Sequence, residues 1–212
     1  DIVDVTPATL KIGEVSAGLK YKESYNLEDL MKAAIVHSCN DAAYLVSEYA
    51  GKGDVEKFVE EMNEKAVSLG LLNTKYYTTT GLPTRNTGKP LDISTAEDMV
   101  KLGAELSKHS KYFEFSKQSS ITIKDIHSGK ESTFRNTNKL IGIYDGMDGM
   151  KTGFHRAGMF NIVATAKRDD MRFITVVFGS DNNKLREKEV ITLLDYAFET
   201  YQKVKVSDTI KP

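Results

Sequence analysis

Cysteine is nearly absent from this 212-residue chain: Cys39 is the only one. A lone cysteine excludes an internal disulfide and any cysteine-based zinc motif. The four histidines, His37, His109, His127 and His155, show no His-x-x-x-His or comparable ligand spacing, so neither a metal nor another cofactor is expected. An excess of one charge is also missing. With 29 basic and 30 acidic residues the net charge is −1, which gives no electrostatic case for binding nucleic acid. No apolar run approaches the length of a membrane-spanning helix, and no charged-then-apolar signal segment opens the chain. The first residue is Asp1 rather than Met, an opening that suggests processing or truncation. One further absence bears on chemistry. No serine is followed three residues later by lysine, so the chain encodes no Ser-x-x-Lys nucleophile pair.

What is present divides by period. Residues 1–25, with Pro7, Gly13 and Gly18, have no sustained pattern and read as mostly irregular. From Asn26 the pattern turns helical: Leu27, Leu30, Met31, Ala34 and Ile35 share one face, with Asn26 as N-cap and an end near His37. Further helices are expected at about 40–49, stopping at Gly51, and at 55–69 after the cap Asp54. A polar loop leads to Ser94-Thr95-Ala96-Glu97, a capping box opening a helix to about Lys108. Then the period becomes two. A hairpin is expected at 120–126 and 131–134, with strands at 147–154, 159–166 and 171–179, and a closing helix at 185–201. The result is an α+β arrangement, a helical part over about 26–118 and a mainly sheet part over about 119–202. Residues 206–212 read as the start of a linker to a further domain.

Two short strings carry the chemistry. Ser38-Cys39-Asn40 falls on a tight connection between two helices. A hydroxyl there can relay a proton to a departing amine, and a carboxamide can bind a peptide carbonyl. Helix capping explains the same residues without chemistry. Lys151-Thr152-Gly153 falls on a strand, where an open edge can pair with an extended peptide and glycine keeps the approach clear. Lys151 supplies positive charge and Thr152 a hydroxyl for a carboxylate; a plain strand with a solvated lysine is the simpler alternative. By chance a chain of this composition holds about 0.7 Ser-x-Asn and about 0.14 Lys-Thr-Gly strings, so neither suffices alone. Ser180-Asp181-Asn182 is the more literal Ser-Asp-Asn, but it follows Lys-Thr-Gly and ends a strand, which marks it as a decoy.

The surroundings of the two strings add weight. Residues 38–51 (SCNDAAYLVSEYAG), 68–83 (SLGLLNTKYYTTTGLP), 134–141 (FRNTNKLI) and 145–166 (DGMDGMKTGFHRAGMFNIVATA) resemble the D-alanyl-D-alanine carboxypeptidases among the low-molecular-mass penicillin-binding proteins. The resemblance runs from about Gly13 to Lys205. It implies a serine β-lactamase-like fold whose first strands and nucleophile-bearing helix come from sequence before residue 1, leaving sheet edge and helix-packing surface uncovered. It also implies an extracytoplasmic enzyme of the bacterial cell envelope that removes the terminal D-alanine of peptidoglycan stem peptides through an acyl-serine, and that β-lactams trap. This chain alone would be inactive and would depend on the missing N-terminal segment, with membrane association only through C-terminal parts outside the sequence.

The same resemblance assigns catalytic roles to Ser38, Asn40 and Lys151 and substrate-binding roles to Thr152, Gly153 and Arg186. For Arg186 the chemical sense is bidentate pairing with the substrate's terminal carboxylate, against the commoner surface helix arginine. Cys39 reads as a packing residue and His155 as a rim residue. A serine β-lactamase fragment, or a peptidoglycan- or partner-binding module that has lost its nucleophile, are the competing readings.

Overall fold

The computed structural model describes residues 1–204; Lys205 and the linker expected over 206–212 lie outside the described residues. The opening segment is less irregular than its missing period suggested. Strand β1 (Ile2–Asp4) pairs antiparallel with β2 (Ser24–Asn26). Three-residue strands are too short to show an alternation, and their pairing across twenty residues leaves no local signal.

Helix α1 (Leu27–Lys32) continues as a π-helical turn over Ala33–His37 and ends at Ser38, which takes a left-handed φ of 64°. Helices α2 (Asn40–Ala50) and α3 (Val55–Ser68) follow, and the Asp54 side chain caps α3 by accepting from Lys57 N. Such a cap contributes about 1 kcal/mol. The polar loop holds one short turn, α4 (Thr84–Thr87). Helix α5 (Ala96–Leu106) starts one residue later than the capping box implied: Thr95 is its cap, while the Ser94 hydroxyl is taken by Thr74 at 2.8 Å. The helix stops short of Lys108, and a separate helix α6 (Ser110–Ser116) follows.

The hairpin is β3 (Ser120–Lys124) with β4 (Glu131–Arg135), and the main sheet runs in the order β5 (Met147–His155), β6 (Met159–Arg168), β7 (Met171–Ser180), all antiparallel. Asn182, the last residue of the literal Ser-Asp-Asn, caps the closing helix α7 (Asn183–Thr200) by accepting from Leu185 N. That string is a strand end and a helix start.

Two cores result. The first gathers Val3, Leu30, Val36 and Leu45 with Ile121 and Ile123. The alternation of β3 turns both isoleucines toward α1, so the hairpin packs with the helical part although a division at 118/119 would assign it to the sheet. The second core gathers Ile162, Ala164 and Ala166 of β6 with Val190 and Leu194 of α7. On the opposite face, Gly103 lets α5 lie close: a Cβ there would meet Ile174, Met150 and Val163 at 3.2 to 3.5 Å. Helices α5 and α7 therefore cover the two faces of one sheet. Among the described residues no strand pairs with the outer edge of β7; Phe178 on that strand and Leu193 and Tyr196 on α7 are exposed.

Candidate active site

A groove of about 740 Å³ opens where the two cores meet. One wall is the turn between α1 and α2. The left-handed conformation of Ser38 ends the π-helical turn and throws the chain outward, so that Ser38 and Asn40 both line the groove. Cys39 between them points the other way and is fully buried; burial, chiefly, pushes its thiol up to about 12, which leaves it a packing residue.

Asp41 holds this wall together. Its carboxylate accepts from Ser16 Oγ at 2.6 Å and from the main-chain N–H groups of Ala17, Gly18 and Leu19 at 2.8 to 3.2 Å. Asn40 completes the tie, donating from Nδ2 to Gly13 O at 3.2 Å and from its N–H to Val15 O at 2.8 Å. One hydrogen of the carboxamide is thus engaged by the loop rather than held ready for a ligand. The loop brings Glu14 and Val15 into the groove lining, and Glu14 pairs with Arg85 at 3.0 Å.

The other wall is β5. Lys151 reaches across to Ser38, with 2.7 Å between Nζ and Oγ, and also donates to Thr152 O at 2.9 Å. Burial, with the nearby Arg186 cation adding to it, pulls the Lys151 ammonium down to about 8. Thr152 donates through its hydroxyl to Thr137 Oγ at 2.8 Å, and Thr137 N in turn donates to Val36 O, so the segment after β4 stitches the strand to α1. Gly153 is exposed, and a Cβ there would touch nothing nearer than Asn161 at 4.0 Å.

Arg186 is not the surface helix arginine that its position suggested as the commoner outcome. It is 3% exposed and lines the groove, and its Nε has no partner among the described residues. Its one hydrogen bond, from Nη1 to Asn161 O, is long at 3.4 Å, and Glu187 lies 4.0 Å away. Burial lowers its pKa. A buried guanidinium so poorly satisfied is costly unless a ligand anion completes it.

The structure therefore brings Ser38, Asn40, Lys151, Thr152, Gly153 and Arg186 to one groove across more than a hundred residues. His155 lies at its rim, where Nδ1 accepts from Ala157 N and Gly158 N and fixes the β5–β6 turn. Asp41 and Thr137 were not singled out from the sequence. Asp41 read as an ordinary helix start, and Thr137 lay inside the segment FRNTNKLI without a distinguishing pattern. No group of three or more metal-ligating side chains gathers among the described residues.

Comparison with known proteins gives the family. The family model described as D-alanyl-D-alanine carboxypeptidase matches residues 1–182. A D-alanyl-D-alanine carboxypeptidase of Bacillus subtilis is 33% identical over 95% of this chain and 50% of its own length. One of Escherichia coli is 35% identical over 88% of this chain and 44% of its own. The chain thus spans about half the length of the curated relatives it matches. Among solved structures, penicillin-binding protein D2 of Listeria monocytogenes in its ampicillin-bound form matches with a TM-score of 0.79 at 26% identity, over 93% of this chain and 76% of that one. A carboxypeptidase of Francisella tularensis shares the fold, with a TM-score of 0.88 at 23% identity, over all of this chain and 61% of that one. The α+β architecture is that of the penicillin-binding DD-peptidases, and the chain belongs to the D-alanyl-D-alanine carboxypeptidase family.

Proposed function

We propose that this chain is the larger part of the acyl-transfer site of a serine D-alanyl-D-alanine carboxypeptidase, and that a Ser-x-x-Lys segment outside the sequence completes it. The observation that carries the reading is the 2.7 Å contact between Lys151 Nζ and Ser38 Oγ in a groove that also holds the under-satisfied Arg186. A stem peptide ending in D-Ala-D-Ala lies along β5, its terminal carboxylate held by the Thr152 hydroxyl and Arg186. The serine hydroxyl of the missing segment attacks the penultimate carbonyl, the peptide bond breaks, and D-alanine leaves as the amine. Ser38 passes the proton to that amine, Asn40 orients the peptide, and Lys151 stabilises the charge that develops in the transition state. Water then releases the acyl group. A β-lactam enters the same groove and stays on the serine.

The missing segment also has a place to sit. The unpaired outer edge of β7 and the exposed Phe178, Leu193 and Tyr196 suit an added strand with apolar cover. The substrate sets the location outside the cytoplasm, in the cell envelope. No helix among the described residues is long and apolar enough to cross a membrane.

Fluorescent penicillin followed by a denaturing gel tests the reading. Residues 1–212 alone are expected to carry no covalent label, and the complete protein one label per chain. A stoichiometric band on the chain alone would place the nucleophile here and overturn the account. An unlabelled complete protein would leave a binding module instead.

A further inference from the structure

The groove is far more cationic than the chain that forms it. Six lysine and arginine side chains line it, against the single carboxylate of Glu14, in a chain whose net charge is −1. Glu14 is spent on Arg85, and the reading above employs Lys151 and Arg186. Arg156 has no acidic partner among the described residues and is exposed at the groove's end.

The strand edge sets where a peptide can run. Before Lys151 the edge of β5 is closed: Asp148 O accepts from Ser116 Oγ at 2.5 Å, and Gly149 O from Asn138 Nδ2 at 3.2 Å. From Lys151 to His155 no strand pairs along it among the described residues. A peptide anchored by its carboxylate at Thr152 and Arg186 must therefore extend toward Arg156. Four residues of strand cover about 13 Å, which sets Arg156 opposite the third to fifth residues from the peptide's C-terminus. Beside it Phe154 is 60% exposed, with its ring centroid 4.3 Å from that of Phe160, an apolar platform for the methylene part of a side chain.

We propose that Arg156, with the Phe154–Phe160 pair, selects substrates carrying a second, free carboxylate upstream of the terminal D-Ala-D-Ala, and discriminates against their amidated forms. This rests on the carboxypeptidase reading and names its specificity. Charge at a partly exposed site acts through a field that salt weakens, while a guanidinium can also grip the carboxylate in two places.

The probes are two N-acetylated pentapeptides ending in D-Ala-D-Ala. One has glutamate at the third and fourth positions from the C-terminus, the other glutamine at both. With the complete protein at low ionic strength, kcat/KM for D-alanine release is expected to favour the glutamate peptide about tenfold. The ratio should shrink at 0.5 M salt and fall toward one in Arg156→Gln. It should be partly kept in Arg156→Lys, and fully kept in Lys167→Gln, a surface cation outside the groove. Equal rates with the two peptides, or an undiminished ratio in Arg156→Gln, would overturn the proposal. Failure to release D-alanine from either peptide would instead sink the carboxypeptidase reading. The selectivity is then judged by the ratio of Kd values for the same peptides carrying a fluorophore, with the same expectation for Arg156→Gln.

Discussion

The two walls of the groove are built by opposite means. The Ser38–Asn40 wall is a loop and a helix start fastened by one buried carboxylate, Asp41, which gathers four donors from residues 16–19. The β5 wall is a strand whose edge, among the described residues, is left unpaired from Lys151 to His155. Its polar groups reach outward, to Ser38 and Thr137, rather than inward. One wall spends its polar chemistry on a loop; the other spends it across the groove, where the proposed ligand would lie. Substitutions in the two should therefore separate stability from activity.

The largest effect is expected from the open wall. In the complete protein, Lys151→Ala should lower kcat for D-alanine release by roughly a hundred- to a thousandfold, the range seen when one electrostatic contact to a transition state is removed. If Arg186 holds the substrate carboxylate as proposed, Arg186→Ala should act mainly on KM, because that carboxylate is already charged in the ground state. Comparable, small losses in kcat for both would remove the role given to Lys151. Asp41→Ala comes next and reverses the pattern. It strands several main-chain donors and should cost roughly 2–4 kcal/mol in urea unfolding, whereas Lys151→Ala should leave the unfolding midpoint unchanged or slightly raised, since it removes a partly buried cation. A midpoint that falls equally in both variants would erase the distinction between the walls.

A smaller effect is expected from pH. Burial holds Lys151 near 8, so the ammonium is present below that value and lost above it. If Lys151 works as a cation, the rate should fall about tenfold per unit as pH rises beyond about 8. A profile flat to pH 10 would contradict either the burial or the role. The smallest change is expected from Thr137→Val, which removes the partner of the Thr152 hydroxyl across the seam. A net loss of about 1 kcal/mol corresponds to roughly a fivefold rise in KM for the peptide. A larger loss in kcat than in KM would make Thr137 part of the reacting centre.

Much of this was legible before any coordinates. The apolar periods at 26–37, 55–69 and 159–179 mark elements whose burial is decided locally, and they lie where the pattern sets them. Lys151-Thr152-Gly153 was expected on a strand and lies on β5, although burial along that strand does not alternate. The misreadings have a common cause. The β1–β2 pair and the Thr95 cap are settled by partners distant in sequence, Ser24–Asn26 in one case and Thr74 in the other. Asp41 is the same lesson within the site: an aspartate in a helix's first turn fits a local role so well that its long-range one leaves no trace. Arg186 shows the reverse, since its depth in the groove depends on how α7 lies against β6, which no spacing encodes.

The contact between Lys151 and Ser38 joins residues 113 positions apart, and neither core contains both. The first core, which gathers Val3 with Ile121, spans as much of the chain, so sequence separation alone does not set the groove apart. The groove needs both cores in place at once, so local opening of either would take it apart. As the protein is warmed, the capacity to hold a ligand should be lost no later than the amide protection of whichever core opens first.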